Sequence, residues 1–188
     1  MLFFGHLGIT LALVFLVFWI LKDDSVDYRL IFIGSLLPDI IDKPIGQYIF
    51  YNVFYSGRIF AHTMLFLIVL IVISVLLEKY KKNYGFSFLT LGTAFHILQD
   101  ELWYSPETLF WPLLGWEFPK YVIDNYLLYL LQNLLSNLDI FLSEIIGLLI
   151  LAVFVYNFKL YRRAELKSFL FSGKIFVSKK IVVSILEN

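Results

Sequence analysis

Six residues of this sequence have the types and spacing for metal chemistry: His6, Asp39, Asp42, His62, His96 and Asp100. His96 and Asp100 are four apart, so a helix carries both on one face and lets an imidazole and a carboxylate bind one ion. Asp39 and Asp42, three apart, can do the same. With no cysteine in the chain, a His and Asp set suits Zn(II), with Mn(II) or Fe(II) as alternatives, and not Cu(I). Six ligands suffice for two ions. A divalent ion with an open position lowers the pKa of the water it binds to about 7, which makes hydrolysis the natural chemistry. In this reading His6, Asp39, His62, His96 and Asp100 bind metal, Asp42 or Glu107 handles the proton, and Arg58 steadies a phosphate through its planar fork. Asp39, following Pro38, can instead cap a helix or pair with Arg58. Asp139 is expected to cap the last span, and Glu144, deeper on it, to reach toward the site.

The elements that must position these residues are membrane helices. Of 188 residues, 60% are hydrophobic and only 16% charged, and the mean hydropathy is +0.81, values outside the range of soluble domains. The runs Leu2 to Leu21, Ile59 to Leu77, Phe86 to Trp103 and Leu138 to Phe158 each read as a crossing, since about 20 apolar residues span the hydrocarbon. Tyr28 to Ile41 reads as a short or re-entrant second crossing that breaks at Pro38, Asp39, Asp42 and Pro44. The first run lacks a basic start and a cleavage site, and is expected to be retained. The fold class is therefore all-α, a polytopic transmembrane bundle of about five segments. Tyr121 to Ser136 adds a helix lying in the interface, with Asn125, Gln132 and Asn133 toward one side.

Lys22 and Arg29, then Lys79, Lys81 and Lys82, then seven basic residues from Lys159 to Lys180 fall on one side of this arrangement, against Lys43, Arg58 and Lys120 on the other. Cytoplasmic loops carry the excess, so the N-terminus faces out and the C-terminus in. The Trp103 to Lys120 loop, with Trp103, Trp111 and Trp116, lies at the outer interface. Residues 1–160 form the membrane domain, and 161–188 form a basic amphipathic tail resting on the inner leaflet. All six candidate ligands then sit at the outer ends of their segments. Ionisable groups at such depth are costly and require mutual pairing, water or an ion. The formal net charge of zero gives no reason to expect nucleic-acid binding.

In order and spacing these residues resemble the membrane-bound metal-dependent hydrolases typified by the bacterial inner-membrane YdjM proteins, in an archaeal-looking branch. The resemblance rests on His6, on Gly34 through Pro44 with Pro38-Asp39 and Asp42, on Gly57-Arg58 leading to Ala61-His62-Thr63, and on Gly92, His96, Asp100, Trp103 and Pro106 through Leu113. It covers residues 5 to about 115. The broader family often has His-Arg where this chain has Gly57-Arg58, and Pro-Asp-x-Asp-His where it has Pro38 to Lys43. The resemblance implies a metal-dependent membrane hydrolase. Site position adds membrane lipids as partners and a lipid or lipid-linked ester or phosphoester as substrate. The rival reading is a metal or ion transport component. Transport sites lie near the midplane between repeated halves, and this chain shows no internal repeat.

Reporter fusions at Lys82 and Asn188 should both read cytoplasmic. An external signal from either would overturn the topology and the clustering argued from it.

Overall fold

A computed structural model describes residues 2–123 and 125–175, and among these it is helical with no strand. The α-helices in chain order are α1 (Phe3–Leu21), α2 (Tyr28–Pro44), α3 (Tyr51–Phe54), α4 (Met64–Lys81), α5 (Gly85–Gln99), α6 (Pro106–Leu109), α7 (Tyr126–Ser136), α8 (Leu138–Asn157) and α9 (Arg163–Ser172). By length and composition α1 and α8 can cross a membrane. Helices α2 and α5 have 17 and 15 residues, and α4 ends in Glu78, Lys79 and Lys81. Two helices of spanning length thus stand behind the five expected crossings.

Local chemistry explains where the elements differ from expectation. Helix α2 does not break at Pro38. Proline lacks an N–H, so the Gly34 carbonyl loses its helical donor, and the Thr93 hydroxyl of α5 donates to it instead at 3.1 Å. The third segment starts its α-helix later than Ile59. Phe60–His62 forms a 3₁₀ turn, and the Thr63 hydroxyl caps α4 by accepting from the Phe66 amide at 3.0 Å. The fourth ends early because Glu101 adopts a left-handed φ of 52°. The interfacial helix begins at Tyr126, where the Asn125 side chain accepts from the Leu128 amide at 3.0 Å.

Helix α2 packs on α5 and α1 on α8, both through glycine. A side chain at Gly92 would collide with the backbone of Ile31, Gly34 and Ser35, and one at Gly8 with the backbone of Gly147. Small residues let apolar helices approach closely enough for dispersion and cross-helix hydrogen bonds to act. One end of the bundle is an apolar core of Leu11, Val14, Val26, Tyr28, Ile31, Phe154, Phe169 and Ile175. Within the expected tail, α9 docks on this end, and the Gly173 carbonyl accepts from the Tyr28 amide at 2.8 Å. Residues 176–188 of that tail lie outside the described residues.

Glu144 does not reach the site. Its carboxylate accepts from the amides of Leu2, Phe4 and Gly5 at 2.8 to 2.9 Å, so α8 caps α1 from outside and places a negative charge on its N-terminal dipole. Asp139 does not cap α8. The Asn137 side chain does, accepting from Asp139 and Ile140. Glu144→Ala would leave three donors without partners and should cost at least about 2 kcal/mol. Asp139→Ala should cost no more than about 1 kcal/mol. Thermal melts in detergent compare them, and equal losses would contradict the capping roles.

Candidate metal centre

The centre is assembled from the C-terminal half of α2, the 3₁₀ turn before α4 and the last turn of α5 with the residue that follows it. Asp39, His62, His96 and Asp100 each bring one ligand atom, all four within 4.8 Å of one another. His62 Nε2 lies 3.3 Å from His96 Nε2 and 3.5 Å from both Asp39 Oδ1 and Asp100 Oδ2. His96 Nε2 lies 3.8 and 3.7 Å from the same two oxygens. These are five of the six edges, and the sixth, from Asp39 to Asp100, is at most 4.8 Å. A regular tetrahedron with edges like the five would have its centre roughly 2.0 to 2.3 Å from each vertex, close to the bond lengths of Zn to nitrogen and carboxylate oxygen.

The other ring nitrogens decide what the vertices carry. His96 Nδ1 lies 2.7 Å from the Ser35 carbonyl, an acceptor only, so His96 Nδ1 donates. His62 Nδ1 lies 2.7 Å from Asp42 Oδ2, a carboxylate that already accepts the amides of Ile59, Ala61 and His62. With Nδ1 protonated in both neutral rings, both Nε2 atoms turn lone pairs toward each other and toward two carboxylates. Four acceptors facing one point fit a cation.

Asp42 was expected to handle the proton, but it is fully buried and its oxygens are occupied as described. It shapes the Phe60–His62 turn and orients His62. Glu107, the other proton candidate, is exposed on α6 and outside the cavity lining. Arg58 is 44% exposed in its side chain, and its Nε donates to Asp100 Oδ2 at 2.9 Å. Asp39 pairs with Lys43, one helical turn on, and not with Arg58. His6 is fully buried. Its ring stacks on His96 with centroids 4.0 Å apart, and its Nε2 lies at an ion-pair distance of 3.2 Å from Asp100 Oδ1. It lies outside the group of four, against the second oxygen of that group's Asp100.

A cavity of about 320 Å³ opens beside the centre, lined by Asp39, Lys43, Arg58, Asp100, Tyr126 and Asn133 among others. The carboxylates line it and the imidazoles do not. Helix α7 roofs it. Burial, and next the nearby Asp39 carboxylate, hold the Tyr126 phenol above its usual range. The i+4 spacing of Lys43 from Asp39 was the signal for that pair, and Arg58 was expected there instead. The Ser35 carbonyl and the Tyr126 roof carried no sequence signal, because both depend on contacts between helices.

Fold and centre together define an all-helical protein with spanning-length apolar helices and a buried two-His, two-Asp centre open to one end. The family model described as YdjM inner membrane protein matches residues 1–166, and the chain belongs to that family. No curated protein and no solved structure matches it. The match extends past the sequence motifs to take in α8 and Glu144.

Asp42→Asn keeps the shape but sets an amide donor against backbone amides and the His62 ring. Zinc affinity should fall about 10- to 100-fold, measured by competition with a chromogenic chelator. Unchanged affinity would remove Asp42 from the support of the centre.

Proposed function

We propose that this protein is an integral-membrane, metal-dependent hydrolase acting on an ester or phosphoester at the outer face, with its substrate drawn from lipids or lipid-linked molecules. The observation that carries the reading is the convergence of two Nε2 lone pairs and two carboxylates beside a cavity with basic walls. Asp39, His62, His96 and Asp100 would hold the ion, and the tetrahedral spacing favours zinc over manganese or iron. When bound, such an ion supplies Lewis acidity and lowers the pKa of water. His62 and His96 are fixed by Asp42 and by the Ser35 carbonyl. Arg58 and Lys43, on the same wall, neutralise a substrate's anionic oxygens.

Membrane placement is part of the proposal. The chain forms five segments with the N-terminus outside and the C-terminus in the cytoplasm. In support, α4 exposes Leu65, Ile68, Val69, Val72 and Leu76, an apolar surface suited to lipid. Residues 1–160 act as the catalytic domain, and the basic tail faces the inner leaflet.

One observation favours a second reading. Four protein residues offer a ligand each, the full number of a structural zinc site, whereas catalytic zinc keeps a position open. In that reading the ion only braces the helices. Hydrolysis by protein in liposomes, loaded with Zn or Mn and offered phospholipid, phosphomonoester and carboxylic ester, separates the two. Asp100→Asn should lower turnover at least about 100-fold. Arg58→Lys should keep its metal and lose about tenfold on phosphorylated substrates alone, since the ammonium lacks the fork. Metal-loaded wild type without activity on the whole panel would falsify the hydrolase reading in favour of the bracing ion. Ion movement into the liposomes would favour a transport component.

A further inference from the structure

The polar cavity does not end at its basic wall. A second cavity of about 610 Å³ shares Leu2, Asp39, Lys43 and Leu130 with it. Apart from Glu144, whose carboxylate is taken up by the first amides of α1, its remaining walls are apolar, with Phe4 of α1, Leu36 and Ile40 of α2, Leu134 of α7, and Ile145 and Leu148 of α8 among them. A third, of about 300 Å³, continues from Leu36 and Ile40 to Leu7, Phe32, Ile33 and Leu151. From Phe141 to Leu151 the walls follow α8 for roughly 15 Å at 1.5 Å per residue, about half of the ~30 Å hydrocarbon core. Helix α7 joins the chambers, with Tyr126, Tyr129 and Asn133 over the polar one, Leu134 over the apolar one and Leu130 over both.

We infer that this groove holds one alkyl chain of a phosphate-bearing lipid whose head lies in the polar cavity against Arg58 and Lys43. The inference rests on the reading of that cavity as the reaction chamber and specifies its substrate as an amphiphile with at least one linear chain. Three observations select this occupant. The groove and the cavity share Leu2, Asp39, Lys43 and Leu130 in their walls. Lys43 stands at the junction, where the phosphate of a chain lying below it would sit. The groove's length matches one leaflet, so the chain enters sideways from the lipid without leaving hydrocarbon. Burying a methylene there in place of water is worth about 0.8 kcal/mol, but against lipid the gain is small. Selection therefore comes from the head.

The test uses full-length protein in phosphatidylcholine nanodiscs and a dodecyl phosphate carrying a mid-chain diazirine, with crosslinks mapped by mass spectrometry. Labelling should concentrate on Ile145, Leu148 and neighbouring groove residues. Excess unlabelled dodecyl phosphate should compete it away, and inorganic phosphate at equal concentration should not. Leu148→Trp and, independently, Ile40→Trp at a more exposed position should each cut the yield about tenfold. Labelling that spreads equally over the lipid-facing residues Ile68 and Val72 of α4 and resists competition would overturn the groove. Equal competition by inorganic phosphate would show that the chain contributes nothing, and would overturn it too. Competable labelling in protein that hydrolyses nothing would keep the groove and defeat only the hydrolase reading, so the two failures are distinguishable.

Discussion

If both imidazoles are neutral and donate their Nδ1 protons outward, their Nε2 atoms turn bare lone pairs inward, and those atoms stand 3.3 Å apart with two carboxylate oxygens beside them. Like dipoles and charges brought this close repel in a low-dielectric interior. Either a proton on one Nε2 or a cation among all four donors relieves the repulsion. A proton bridges one pair, whereas a divalent ion answers all four donors at once. The positions of Asp42, Lys43 and Arg58 follow from the same constraint: each fixes or neutralises one of the converging groups at its outer side.

The scaffold can be understood as what holds that repulsive cluster together. Gly34 and Gly92 bring α2 and α5 into backbone contact, which places Asp39 of α2 beside His96 in the last turn of α5 and sets the Ser35 carbonyl within reach of His96. Helix α1 delivers His6 as a ring stacked on His96 because Glu144 of α8 grips its first amides. Buried polar groups therefore do two jobs here. They satisfy helix ends that lipid cannot, and they prevent the ligands from rotating away.

Much of this was legible in the sequence, and what was missed shares one cause. The bounds of α8 came within one residue of expectation, because long apolar runs with a polar start report helix length directly. The set Asp39, His62, His96 and Asp100 was legible because so few ionisable residues occur in the apolar segments. Pro38 misled because its lost hydrogen bond is replaced by Thr93, 55 positions on, a contact no local pattern contains. Asp42 and Glu144 were recognised as unusual, but their tasks are set by which backbone amides fold toward them. Periodicity places a side chain on a face and says nothing of the amides it will meet.

The central claim is that the four donors are arranged for one divalent ion. Elemental analysis of protein purified in mild detergent, wild type beside His96→Ala, tests it most directly. Wild-type protein should carry about one transition-metal ion per chain, zinc foremost, and His96→Ala should lose it while both remain folded. Wild-type protein that is stable, folded and free of metal even after incubation with zinc would contradict it, and would leave a proton shared between the imidazoles as the charge at the centre.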